Sequence, residues 1–135
     1  MEINKDLVAA AGAKIGRIQY QTIVNSGNHT IIADEPVQEG GLDTGMSPYG
    51  LLLASLASCT VITLRMYINR KMWAIEEIGV NLELTQTEKG VQIDSRLSFT
   101  GEINDEQRKR LVKIADACPI HKILVGNIQI RTALH

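Results

Sequence analysis

Cys59 and Cys118 are the residues of this 135-residue chain best suited to covalent chemistry. As thiolates they are nucleophiles, and two thiols that meet can close to a disulfide that a dithiol reopens. Cys118 stands just before Pro119, where the pattern predicts a junction between two helices. A thiol at a helix N-terminus faces unpaired amide hydrogens and the positive end of the helix dipole, and both favour the anion. His121 and Lys122, three and four residues on, are spaced to return to that sulfur on the first turn. Cys59 lies among Ser55, Ser58, Thr60 and Thr63, with no charge nearer than Arg65. In an apolar helix, desolvation raises a thiol's pKa unless a cation or hydrogen-bond donor offsets it. Read from the residues alone, Cys118 is therefore the lower-pKa thiol and Cys59 the inert one.

Other chemistries find less support. The two cysteines and three histidines show none of the close pairing of zinc motifs, so no metal site is expected. There is no glycine-rich phosphate loop with its lysine and no serine elbow, and no cofactor is expected. His29 and His135 read as surface residues, and Trp73 and Phe99 as core.

The elements that must position the cysteines follow from periodicity. Ile15 to Val24 and His29 to Ala33 read as strands joined at Asn25-Ser26-Gly27-Asn28. Asp34 to Met46 holds Pro36, Gly40, Gly41 and Gly45 and reads as an irregular loop. Ser47-Pro48 is a helix start, a hydroxyl cap followed by proline at the first helical position. That helix should run to about Arg70, apolar nearly all round and covered on several sides, with Leu52, Ser55, Cys59, Ile62 and Met66 on one face. Ile78 to Thr85 and Val91 to Phe99 alternate as a hairpin around Thr87-Glu88-Lys89-Gly90. A capped helix from about Glu106 to Ala117, a short helix Pro119 to Val125 closed by Gly126, and a last strand through Ile128, Ile130 and Thr132 complete the expectation. The order β-β-α-β-β-α-α-β gives an α+β fold in a single domain, residues 1–135, with β-hairpins around one long buried central helix.

Bulk properties narrow the partners. The chain is 44% hydrophobic and 21% charged with a net charge of -1, values that suit a folded domain and argue against a nucleic-acid partner. Arg108-Lys109-Arg110 lies among Asp105, Glu106 and Asp116 and reads as a solvated helix face. From Gly45 to Leu64 no residue is charged, but Ser47, Ser55, Ser58, Thr60 and Thr63 are costly in hydrocarbon, so no membrane span is expected. Glu2, Lys5 and Asp6 interrupt the N-terminus, which lacks a secretory signal's apolar stretch, and a reducing cytoplasm is the expected location.

Two motifs carry a family resemblance over nearly the whole chain. Met46-Ser47-Pro48-Tyr49-Gly50-Leu51-Leu52-Leu53-Ala54-Ser55-Leu56-Ala57-Ser58-Cys59-Thr60 resembles the central-helix motif of the OsmC/Ohr family (osmotically inducible and organic hydroperoxide resistance proteins). Ala117-Cys118-Pro119-Ile120-His121-Lys122 resembles the family's second signature, and the Asp34-Glu35-Pro36 and Gly40-Gly41 loop also fits. The resemblance implies an intertwined homodimer with two active sites at the interface. It implies a thiol-dependent peroxidase, in which Cys59 attacks a peroxide and Cys118 closes a disulfide that a small or protein-bound dithiol reduces. It thereby reverses the residue-level ranking of the two thiols. Hydroperoxide-resistance members begin the central helix with a glutamate paired to an arginine, whereas this chain has Tyr49-Gly50 there. Arg17 is the candidate arginine, and Glu35 or Glu39 the candidate substitute acid. A second reading is a non-enzymatic dimer of the same fold whose interface cleft binds a small apolar or thiol ligand.

Overall fold

The computed structural model describes residues 6–135, in two compact units that divide between Leu52 and Leu53. In the N-terminal unit three antiparallel strands, β1 (Gly12–Ile15), β2 (Thr22–Ser26) and β3 (His29–Ala33), lie in the order β1-β2-β3. The β2–β3 ladder runs from Thr22↔Ala33 to Ser26↔His29, leaving a two-residue loop in which Gly27 takes a positive φ of 60°. The run from Ile15 to Val24 is therefore not one strand. It breaks at a turn closed by Gln21 N–H donating to the Ile18 carbonyl, with Gln19 at φ 46°. Only Ile15 of β1 carries a strand signal; Gly12, Ala13 and Lys14 are extended because they pair with β2, Gly12 opposite Asn25.

The following loop is less irregular than its composition implies, since Val37–Glu39 form a 3-10 turn. Its two ends are tied by Asp34, which is buried and accepts from the Glu35 amide at 2.8 Å, the Thr44 amide at 3.1 Å and the Thr44 hydroxyl. The Thr44 hydroxyl in particular holds the Asp34 carboxyl below its ordinary range, against the opposing effect of burial. Gly45 passes so close to the Ile32 carbonyl that a Cβ there would sit 2.0 Å from the oxygen. Only glycine fits.

The long helix α1 (Pro48–Lys71) begins as expected: Ser47 accepts the Gly50 amide through its hydroxyl at 3.1 Å, and Pro48 occupies the first helical position. By length and composition α1 is apolar enough to cross a membrane. It ends where Met72 turns left-handed at φ 54° and the Trp73 amide reaches back to the Ile68 carbonyl, a Schellman closure without glycine. In the C-terminal unit β4 (Ile75–Thr87) and β5 (Gly90–Gly101) form a long antiparallel hairpin, with a bulge between Ile75 and Glu77. The Arg65 guanidinium spans that bulge, donating to the carbonyls of Ile75 (2.9 Å) and Glu76 (2.8 Å).

Helix α2 (Asp105–Ala115) carries a capping box: Asn104 accepts the Gln107 amide at 2.8 Å and Gln107 returns to the Asn104 amide at 2.9 Å. Helix α3 (Pro119–Val125) follows at the predicted boundaries. Leu64 and Ile68 of α1, Ile75 of β4 and Leu111 and Ala115 of α2 make the core, with Trp73 and Phe99 packed at its margin. Each fully buried Leu or Ile contributes about 1.5–3 kcal/mol over an exposed one.

Two expectations fail here. The last strand is absent: residues 127–135 have no regular structure, and Ile130 is 86% exposed. Alternation alone does not make a strand without an edge to pair with. Nor is α1 covered all round. Leu56, Thr60, Leu64 and Ile68, four apart, are buried, while Leu52, Ile62 and Met66 are exposed.

Candidate functional site

Consecutive residues on a helix point about 100° apart. Thr60 therefore lies on the buried stripe of α1, while Cys59 lies at its border and is half-buried. On that side a cavity of about 390 Å3 is lined by Ser55, Cys59, Ile62 and Met66 of α1 and by Pro119 and Ile120 of α3. The two cysteines, far apart in sequence, thus converge on one place through the packing of α3 beside α1. Larger cavities, of about 550 and 480 Å3, contain neither cysteine, so the choice of site follows chemistry rather than size.

Cys118 is the N-cap of α3 and 0% exposed. Its sulfur accepts the His121 amide hydrogen at 3.3 Å and lies 3.9 Å from the Thr60 hydroxyl oxygen. Burial is the main influence on this thiol and pushes its pKa up from the ordinary 9.0. The His121 amide pulls the other way, and a hydrogen bond and charge interaction with Cys59 push up again. Cys118 is accordingly a protonated thiol. This overturns its ranking as the low-pKa member of the pair: one amide at a helix end does not compensate for complete removal from water.

The neighbouring charges do not take up the roles their spacing suggested. The His121 imidazole faces Asp116, Nδ1 to Oδ1 at 3.9 Å, and Lys122 is exposed, so α3 supplies the Cys118 sulfur with a backbone hydrogen. Arg65 spends its guanidinium on the two carbonyls of β4. The first turn of α1 holds no acid, and Tyr49 there is exposed. In the N-terminal unit, Arg17 is exposed in the bend after β1 rather than on a strand. Glu39 is exposed in the 3-10 turn, and Glu35 donates its amide to Asp34.

The residue that pattern reading undervalued is Thr60, seen only as one hydroxyl among several. The available signal was a polar side chain at the second place of an otherwise aliphatic four-residue stripe, Leu56-Thr60-Leu64-Ile68.

Comparison with known proteins agrees with the motifs. A family model described as OsmC-like protein matches residues 40–133. No curated protein sequence matches the chain. Among solved structures, an OsmC like protein from Mycoplasma pneumoniae superposes with a TM-score of 0.76 at 20% identity, covering 90% of this chain and 89% of the other. An organic hydroperoxide resistance protein OsmC from Legionella pneumophila gives 0.65 at 25% identity, covering 92% and 93%. The organic hydroperoxide resistance protein OhrB of Bacillus subtilis gives 0.60 at 25% identity, covering 90% and 93%.

Proposed function

Since this chain belongs to the OsmC-like protein family, we propose that it is a cytoplasmic, homodimeric thiol peroxidase that reduces organic hydroperoxides or hydrogen peroxide through Cys59 and Cys118. The observation that carries this reading is the meeting of a half-buried thiol in a cavity with a buried, protonated second thiol. The names of the Legionella and Bacillus structures point to the same substrate class.

The cycle follows from thiol chemistry. The Cys59 thiolate attacks one oxygen of ROOH; the O–O bond breaks, and the alkoxide leaves as ROH after taking a proton. Cys59 is then a sulfenic acid. Attack by the Cys118 sulfur breaks the S–O bond, forms the disulfide and releases water, the thiol proton leaving with the oxygen. A dithiol, small or protein-bound, reduces the disulfide by exchange. Ile62, Met66, Pro119 and Ile120 give the cavity an apolar lining that suits an alkyl peroxide. Arg17 is the proposed cation that favours the Cys59 thiolate.

Homodimerisation is supported by what one chain leaves open. Leu52, Ile62 and Met66, on the row that steps three or four residues along α1 through Ser55 and Cys59, and Ile15, Ile23, Ile31 and Ile32 of the three-stranded sheet are exposed apolar side chains that a second copy would cover.

Purified protein should consume cumene hydroperoxide in the presence of a dithiol, and oxidation without reductant should yield a Cys59–Cys118 disulfide seen in peptide mass spectra. Absence of both sinks the peroxidase reading. The second reading, a binding protein for a small apolar or thiol ligand, is favoured by the missing acid in the first turn of α1. It requires both thiols to survive mild peroxide treatment unchanged.

A further inference from the structure

We propose that Thr60 is a positioning residue for the disulfide-forming half of this cycle, holding the Cys118 thiol so that its proton rests on the Thr60 oxygen while its sulfur stays turned to Cys59. The proposal rests on the two-cysteine reading above and adds a residue to it.

The donor inventory leaves one arrangement. The Thr60 hydroxyl donates to the Leu56 carbonyl at 2.8 Å, one turn back along α1. A hydroxyl has a single hydrogen, so that bond consumes Thr60's capacity to donate. The 3.9 Å contact between the Thr60 oxygen and the Cys118 sulfur then has one available hydrogen, the thiol's own. From the other side the His121 amide donates to the same sulfur at 3.3 Å. Cys118 is thus held by one bond it accepts and one it gives. Cys118 is 0% exposed and Thr60 4%, its remaining exposure facing a cavity of about 450 Å3 that Leu56 and His121 also line.

Position along the helix explains why Thr60 can act on the pair. Cys59 and Thr60 are consecutive and diverge by about 100° around α1. The Cys118 sulfur is 3.9 Å from the Thr60 oxygen, and Pro119, the next residue, lines the Cys59 cavity, so α3 brings Cys118 to the part of α1 where the two side chains diverge. An acceptor on the Thr60 side gives the thiol proton somewhere to rest other than Cys59. The sulfur lone pairs are then free to attack when Cys59 becomes a sulfenic acid. In that step the S–O bond of Cys59 breaks, the S–S bond forms, and the Cys118 proton leaves with the oxygen as water.

The test uses Thr60→Val, which keeps the shape and removes the oxygen, and Thr60→Ser, which keeps the oxygen. With cumene hydroperoxide, Thr60→Val should form the Cys59 sulfenic acid at the wild-type rate, read by dimedone trapping. It should then close the disulfide about tenfold more slowly, the effect of losing one neutral hydrogen bond. Thr60→Ser should restore closure. Wild-type closure in Thr60→Val, or closure as slow in Thr60→Ser, overturns the assignment.

Closure is also read without peroxide, from the mixed disulfide of Cys59 with thionitrobenzoate, whose displacement by Cys118 releases a coloured thiol. A wild type that closes there but consumes no peroxide would defeat the peroxidase reading and still judge Thr60. In a Cys59→Ser background, the infrared S–H band of Cys118 should move to higher frequency on Thr60→Val. An unmoved band means that Thr60 does not hold the thiol proton.

Discussion

The two flanks of α1 are made of much the same side chains and meet opposite fates. Leu56, Leu64 and Ile68 lie buried, while Leu52, Ile62 and Met66, also aliphatic or thioether, stay open to solvent. The cysteine at the border opens into a cavity; the cysteine that α3 brings against the closed stripe is sealed. What differs is the cover. α2 and β4 close over one flank, whereas on the other Ile62 and Met66 line open cavities whose further walls are β4 on one side and α3 on the other. Complete burial keeps a thiol protonated, whereas the border keeps one in reach of a small molecule. One helix thus supplies both a core and a reactive group, and the division between them falls between Cys59 and Thr60.

The largest expected effect tests the open side. Cys59→Ser should lower hydroperoxide turnover on the order of a thousandfold or more, because it removes the thiolate that attacks the peroxide, and the neighbouring Met66 thioether is not returned to its starting state by a dithiol within the cycle. A variant that retains turnover moves the chemistry elsewhere and dissolves the contrast. On the closed side, Leu111→Ala should cost about 2–5 kcal/mol in urea unfolding, as removing a fully buried leucine leaves a cavity the core cannot fill. A cost below about 1 kcal/mol would mean the stripe is less tightly covered than its burial implies.

The pH dependence of stability sharpens the comparison further. Burial raises the Cys118 thiol above its ordinary 9.0, so the folded state holds that proton more tightly than the unfolded chain does. Its contribution is complete below pH 9.0 and is lost as pH rises through the folded value. Wild-type stability should therefore fall with pH above that point, and Cys118→Ala, less stable at neutral pH, should fall less steeply. Parallel declines would remove Cys118 from the account. The smallest effect belongs to the open flank: Ile62→Ala should change unfolding of the dilute protein by no more than about 0.5 kcal/mol. The same change should weaken the rise of Tm with protein concentration that a homodimer shows. A concentration-independent Tm in the wild type would leave the exposed flank without its proposed cover.

Much of this was legible in the residues, for local reasons. Ser47-Pro48 and Pro119 with Gly126 mark helix ends through groups within a few positions, and α1 and α3 begin where those groups stand. The β4–β5 hairpin follows from alternation of Val80, Leu82 and Leu84 against Leu97 and Phe99, and the ladder pairs Val80 with Leu97. Most of β1 was illegible because Gly12, Ala13 and Lys14 owe their extended backbone to pairing with β2. Residues 128–132 show the converse, a strand pattern with no strand.

The sequence by itself determined where two thiols stand on two helices, the helix boundaries around them and the motifs that mark the family, because each depends on neighbours a few residues away. Tertiary structure decided which thiol is sealed, that α3 delivers Cys118 to both Cys59 and Thr60, and that a threonine in an aliphatic stripe meets a sulfur. The physical reason is desolvation. A thiol's proton affinity is set by how much water and polar protein surround it, and that depends on side chains from distant parts of the chain.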